Sequence, residues 1–355
     1  MQSKERVLRS LDFKKADRIA RFDSYWPEFA ELCKKELKLP KAMALEDYFG
    51  IDIAIIVPDE TPYPGMKEVI SMSDDEAVLR NGYGVVERTK KGGFFSEEME
   101  YLIKEPKDLD RYPFEDPRLD TRYENFIEQV WKEKAKGRCV FGKIGGPYIR
   151  STFIRGQVNF LMDIAGDEGF ARELASRVGD FLVEIGKEQI KRADLYDTGI
   201  WIYDDMAYNH GPMMSPRAFE RIFYPIYKKM VRELKEAGAN KVGLHSDGDI
   251  RPILDMLIDA GIDLINPVEP KAGMSVKELK KKYGNRLAYV GGMCNADVLV
   301  NGPKERIIRQ TMEIIEAARD GGVIIGAHSI GPDIPVENYL AYIQCVEENG
   351  YFINS

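Results

Sequence analysis

The chain has 355 residues, a net charge of −8 and a pI near 5.3. This acidic balance argues against nucleic-acid binding, which calls for a basic patch or stripe. No apolar run approaches the roughly 18 residues of a membrane span, and the opening Met1-Gln2-Ser3-Lys4-Glu5-Arg6 lacks the apolar core of a signal peptide. Cys33, Cys139, Cys294 and Cys345 are widely spaced and form no CxxC pair, so neither a zinc ribbon nor a disulfide framework is indicated. The expectation is a reduced, cytoplasmic protein acting on small molecules.

In chain order, apolar runs bounded by turn residues fall at 19–22, 51–57, 140–145, 199–203, 241–244, 264–267, 287–291 and 322–326. Continuous Val/Ile-rich runs of this kind suit parallel strands buried on both faces. Helical patterns fill the gaps. Residues 168–196 place Phe170, Leu174, Val178, Leu182 and Ile185 at helical spacing. Ser215 followed by Pro216 reads as an N-cap with proline at the first helical position, and Pro225 should kink the helix that follows. Residues 275–283 and 303–319 supply later helices. Strands alternating with helices predict an α/β fold, a (β/α)8 TIM barrel over 1–355 as one domain, with a doubly wound open sheet as the structural alternative. Residues 76–103 break the alternation. Asn81-Gly82 and Gly92-Gly93 separate β-rich stretches at 77–79, 83–89 and 100–103, which predicts an inserted β-hairpin or small meander, placed over the barrel mouth or solvated at its side.

In a parallel barrel, catalytic groups gather at the C-terminal ends of the strands. There the sequence places Asp23, Tyr25 and Trp26 after the first strand and Gly145-Gly146-Pro147-Tyr148 after the third. Asp204-Asp205 follows the fourth, His245 and Asp247 the fifth, Glu269 the sixth, Cys294 the seventh and His328 the eighth. His210 follows the Asp204-Asp205 pair, so all three histidines lie on one predicted face. A catalytic zinc takes about three ligands from His, Cys, Asp or Glu and keeps one position open. His245, Glu269 and His328 form the expected metal set, with Cys294 a weaker candidate. Asp247 is either a fourth ligand or a partner orienting an imidazole. The plainer readings are a hydrogen-bonded structural histidine, a buried thiol at Cys294, and helix capping by Asp204-Asp205.

Several segments together resemble the uroporphyrinogen decarboxylase superfamily, and more closely its corrinoid-linked methyltransferase branch. They are Asp47-Tyr48-Phe49-Gly50-Ile51-Asp52, Tyr203-Asp204-Asp205-Met206 with Gly211-Pro212-Met213-Met214-Ser215-Pro216, His245-Ser246-Asp247-Gly248, Gly291-Gly292-Met293-Cys294, and the stretch from His328 to Pro335. The resemblance covers nearly the whole chain and implies a (β/α)8 barrel. Two departures separate the branches. The arginine-rich motif with which true decarboxylases hold a porphyrinogen is absent, since the region reads Arg18-Ile19-Ala20-Arg21-Phe22-Asp23-Ser24-Tyr25-Trp26. The thiol-methylating branch has a His-x-Cys motif and a later cysteine as zinc ligands; here His245 stands at the first position while Asp247 and His328 replace the cysteines.

What the resemblance then implies is a zinc-dependent O-demethylase component. It would pass a methyl group from a methoxylated, aromatic substrate to the corrinoid (cobalamin) of a separate partner protein. In that expectation Asp23, Asp205 and Asp247 are the catalytic carboxylates, and Tyr25, Trp26, Tyr83, Tyr148 and Asp204 line the substrate pocket. No DxHxxG-type context is present, so the cobalt would have to come from a corrinoid protein; a homodimer is compatible with the family. Two rivals remain at this point. One is a metal-free, decarboxylase-like lyase in which Asp23 or Asp205 protonates a carbanion and Arg21, Arg150 and Arg155 hold carboxylates. The other is a non-catalytic protein that binds a tetrapyrrole or a corrinoid carrier.

Overall fold

The computed structural model describes residues 1–90 and 96–352. Strands in chain order are β1 (Ile53–Ile56), β2 (Glu68–Met72), β3 (Glu76–Arg80), β4 (Val86–Lys90), β5 (Ser96–Glu100), β6 (Cys139–Gly145), β7 (Gly199–Tyr203), β8 (Ala207–Tyr208), β9 (Gly211–Pro212), β10 (Lys241–His245), β11 (Leu264–Asn266), β12 (Ala288–Met293) and β13 (Val323–Ala327). Seven of them form a parallel sheet in the order β1-β6-β7-β10-β11-β12-β13. Each step in that order advances along the chain, as a barrel requires.

The predicted first strand closes the cylinder with little regular pairing of its own. Arg21 forms a parallel bridge to Ile325, Phe22 N donates to Ile325 O (2.9 Å) and Ile325 N donates to Ala20 O (3.0 Å). On its other side Asp52 N donates to Arg21 O (3.0 Å), and Arg21 N donates to Asp52 Oδ2 (2.9 Å). A carboxylate thus takes the place of one carbonyl in the ladder. Asp52 is fully buried, and Ser3, Arg6 and Arg18 satisfy its remaining lone pairs.

The interior is filled by side chains. Trp201 is fully buried, with Phe22 and Phe141 at ring-centroid distances of 5.5 and 5.8 Å. On the neighbouring strand a Cβ at Gly243 would lie 3.0 Å from the Trp201 ring, so the absence of a side chain there makes room for the indole.

The helices end where local chemistry says they should. Ser215 Oγ accepts from Ala218 N (3.1 Å) at the start of Pro216–Ile222. The chain then breaks and resumes as Tyr224–Glu236, with Pro225 in the new first turn, where its missing N–H costs nothing. Asp167 caps Glu168–Arg192 through Phe170 N (3.1 Å). Among the described residues no helix is long and apolar enough to cross a membrane.

The insertion is larger than the sequence suggests. It is a four-stranded antiparallel sheet, β2-β3-β4-β5, running from Glu68 to Glu100. The β3–β4 turn falls at Asn81-Gly82, where Asn81 Oδ1 accepts from Tyr83 N (2.9 Å); Gly92-Gly93 lies outside the described residues. The strand expected at 100–103 is instead Ser96–Glu100, whose acidic sequence has weak β-propensity. Pairing accounts for it, since Arg88 sits opposite Glu97 in register, with an N–O distance of 3.8 Å. The sheet leans on helix Pro147–Arg155 through Tyr83, whose ring meets Phe153 at 5.3 Å. Among the described residues no hydrogen bond or ring contact joins the sheet to His245, Asp247 or His328.

Candidate metal centre

His245 is the last residue of β10, and the loop beyond it is fixed on every side. Asp204 N donates to His245 O (2.8 Å), Ser246 N to Asn266 O (3.0 Å), and Met206 N to Ser246 Oγ (3.1 Å). Gly248 then adopts φ +81°, and a Cβ there would lie 2.6 Å from Tyr208 N, so only glycine fits. This turn aims Asp247 back at the histidine. Asp247 Oδ1 lies 3.5 Å from His245 Nε2, and Asp247 Oδ2 lies 3.4 Å from His328 Nε2, which projects from just beyond β13. Donor atoms of His245, Asp247 and His328 all lie within 4.8 Å of one another. Asp205 completes the rim, with Oδ1 3.8 Å from His245 Nε2 and accepting from Asp247 N (3.2 Å).

The electrostatics favour a cation. Burial, reinforced by His328, pushes the His245 imidazole down to about 4, so at neutral pH it is the free base. Burial also lowers His328. Burial first, then the charges of Asp205 and Glu269, pushes the Asp247 carboxyl up to about 7. Asp247 Oδ1 is buried without a hydrogen-bond partner. Two neutral imidazoles and an orphaned carboxylate oxygen crowded by like charges fit a divalent ion that prefers nitrogen and oxygen donors.

A cavity of about 660 Å³ runs between residues 22–24 and β1 and reaches out to Glu128, Lys132 and Glu133 on the helix before β6 and to Lys136 at its end. Tyr203 and Lys143 stand in its wall. The Tyr203 ring stacks on His245 at 4.1 Å and 8° between planes, so this one ring stands between the cavity and the cluster.

The expected ligand set needs correction. Glu269 is not in the donor group. Val268 adopts φ +55° just before it, and the carboxylate accepts from Gly248 N (2.7 Å), bracing the loop that carries Asp247. Asp247 takes the place assigned to Glu269. Cys294 is buried at the end of β12 and also lies outside the group; its backbone N donates to Gln310 Oε1 (3.1 Å). His210 sits exposed on the β8–β9 hairpin.

Several expected catalytic and pocket residues prove structural. Asp204 is fully buried and caps helix Pro147–Arg155, accepting from Ile149 N (2.6 Å), Tyr148 N (3.2 Å) and Tyr227 Oη (2.7 Å). It has no oxygen left for a substrate. Tyr148 packs in the core against Phe160 and Phe223. Tyr25 stacks on Phe29, and its hydroxyl lies 2.6 Å from that of Tyr339. Asp23 is buried in the wall of the cavity, with Oδ1 accepting from Ala327 N (2.7 Å) and Oδ2 from Tyr339 Oη (3.1 Å), so it also ties the closing segment to β13. Trp26 is 49% exposed, and Tyr83 packs under the insertion. Of the three expected catalytic carboxylates, Asp205 and Asp247 stand at the cluster and Asp23 stands in the cavity wall.

Three further residues belong to the site. Asn266 Oδ1 lies 2.5 Å from His245 Nδ1, Tyr203 supports the imidazole face, and Lys143 approaches the Tyr203 ring to 4.1 Å. Strand register signals the first two, since His245 pairs with both Asn266 and Tyr203.

Comparison with known proteins follows the same lines. The family model described as uroporphyrinogen decarboxylase matches residues 82–349. No curated protein matches the chain. Among solved structures, a methyltransferase from Methanosarcina mazei is similar over 98% of this chain and 99% of its own, at 19% identity and a TM-score of 0.70. A B12-independent methionine synthase from Shewanella is more distant, at 11% identity and a TM-score of 0.46 over 95% of this chain and 94% of its own. With the family model spanning most of the chain and the closed parallel barrel beneath it, the chain belongs to the uroporphyrinogen decarboxylase family.

Proposed function

We propose that the protein is a metal-dependent methyltransferase that removes the methyl group of a methoxylated aromatic compound and delivers it to the corrinoid of a separate carrier protein. The observation that carries this reading is the convergence of His245, Asp247 and His328. These are the positions at which the thiol-methylating branch carries histidine and two cysteines, and here they form a set without sulfur. The Methanosarcina mazei protein that shares the fold is a methyltransferase, which makes methyl transfer the reaction to test.

His245, Asp247 and His328 would hold a zinc ion. Bound there without thiolate donors, it would supply Lewis acidity toward the ether oxygen. The chain's own residues do the rest. Tyr203 and Asn266 fix the His245 ring. The cavity along β1 receives the aromatic ring of the donor on Phe22, Ile53 and Ile56. In the transfer the methyl carbon passes to cobalt(I), both electrons of the broken C–O bond stay on oxygen, and a proton completes the phenol. Asp205, half exposed beside His245, would hold that hydroxyl.

The lyase alternative is disfavoured by its cations. Arg21 pairs with Glu347, Arg150 with Glu60 and Arg155 with Asp163, so the charge of each is already countered by a carboxylate. The test is a single-turnover assay mixing the zinc-loaded protein, an aryl methyl ether and a cobalt(I) corrinoid carrier. The visible spectrum should convert to that of methyl-cobalt(III) with release of a phenol. Absence of both over a panel of methoxylated aromatics would reject the proposal.

A further inference from the structure

Lys143 lies in β6, within Cys139-Val140-Phe141-Gly142-Lys143-Ile144-Gly145, among neighbours that are nearly all buried. A lysine inside a barrel strand is costly unless its charge is used. Its ammonium makes no hydrogen bond or ion pair with any described residue; its one polar contact is the face of the Tyr203 ring, 4.1 Å from Nζ to centroid. The carboxylate whose charge acts on it most is Glu60, with Asp205 after it, but Glu60 is already committed. One oxygen accepts from Gly145 N (2.6 Å), and the other pairs with Arg150. Lys143 is therefore an unpaired cation in the wall of the 660 Å³ cavity.

Its position relative to the metal cluster gives the cavity a direction. β6, β7 and β10 are consecutive in the sheet, so Lys143 and His245 flank Tyr203 from opposite sides, each 4.1 Å from its ring centroid. The far end of this row carries Asp205, Asp247 and Glu269, three carboxylates that outnumber the two charges of a bound zinc ion, so it disfavours an anion. At the near end the buried cation without a partner is the ammonium; Lys136 and Arg138, farther along the same cavity, are already paired with Glu133 and Asp47, Lys132 is exposed, and Asp23 in the wall is held by hydrogen bonds. A rigid aromatic donor lying along Phe22 and Ile56 with an anionic group at one end and its methoxy group at the other has one favourable orientation, with the anion on Lys143 and the ether toward His245.

We infer that Lys143 forms an anion subsite, and that the methyl donor is an aromatic ether bearing a single carboxylate. The inference rests on the proposed function for the role of the donor, but its test requires neither corrinoid nor turnover, so the two fail separately. One unpaired cation in the buried wall suits one carboxylate, not the several of a porphyrinogen.

The test is calorimetric titration of the full-length, zinc-loaded protein with 4-methoxybenzoate and its neutral isostere 4-methoxybenzamide. A charge-assisted contact in a partly desolvated site is worth about tenfold or more in affinity. The wild type should bind the benzoate about tenfold more tightly than the benzamide. Lys143→Met should erase that preference by weakening benzoate alone, and Lys143→Arg should retain most of it. Unchanged benzamide affinity in Lys143→Met shows that the pocket still folds. Equal affinities in the wild type, no binding of either probe, or a preference that survives Lys143→Met would each overturn the inference.

Discussion

The amide of Asn266 fixes the tautomer of His245. Asn266 Nδ2 donates to Val290 O (3.0 Å), which orients the amide so that Oδ1 faces His245 Nδ1 at 2.5 Å. That nitrogen therefore carries the proton, and Nε2 presents its lone pair toward Asp247 and His328. Partners of this kind typically contribute about 10–100-fold to metal affinity. Asn266→Ala should weaken zinc binding by about that factor while leaving the thermal transition of the metal-free protein within a few degrees, read by competition with a chromophoric chelator. Unaltered affinity would show that the amide only fills space.

Asp204 is predicted to act on stability and not on chemistry. It satisfies two backbone N–H groups at the start of Pro147–Arg155 and the buried Tyr227 hydroxyl. Asp204→Ala leaves these donors unpaired and should cost about 2–4 kcal/mol in urea denaturation. Zinc stoichiometry per folded chain should not change. Loss of metal from a fully stable variant would place Asp204 in the site after all.

Asp23 yields a pH signature. Complete burial pushes its carboxyl up to about 6 despite the Ala327 and Tyr339 hydrogen bonds. With the folded value above the unfolded one, the folded protein binds the extra proton, and this contribution is fully present below about pH 4 and lost as pH rises through 6. Asp23→Asn mimics the neutral form at every pH. The stability of the variant relative to wild type should thus rise between pH 4 and 8 by up to about 3 kcal/mol. A difference that is flat across that range would mean the buried group does not titrate there.

The barrel was legible in the sequence because buried parallel strands are continuous apolar runs, and each of the eight runs carries a barrel segment. The small sheet was only partly legible, because Ser96–Glu100 depends on cross-strand charge and has little propensity of its own. The histidines could be placed from strand ends, but the choice between Asp247 and Glu269 as the third donor could not. Strand position says which residues reach the mouth, not where their side chains turn, and the left-handed Val268 sends Glu269 to Gly248 N. Tyr25 and Tyr148 show the same limit, as strand-end aromatics that pack inward. Lys143 was passed over because it interrupts an apolar run, and only the committed partners of Glu60 reveal that its charge is free.

The account stands most directly on whether His245, Asp247 and His328 bind one metal ion. Elemental mass spectrometry of the purified protein, dialysed against zinc and then buffer, measures this. The prediction is one zinc per wild-type chain and none in the His245→Ala, His328→Ala double variant, with methyl transfer lost alongside. Wild-type protein without stoichiometric metal, or a metal-free double variant that transfers methyl groups at the wild-type rate, would contradict it.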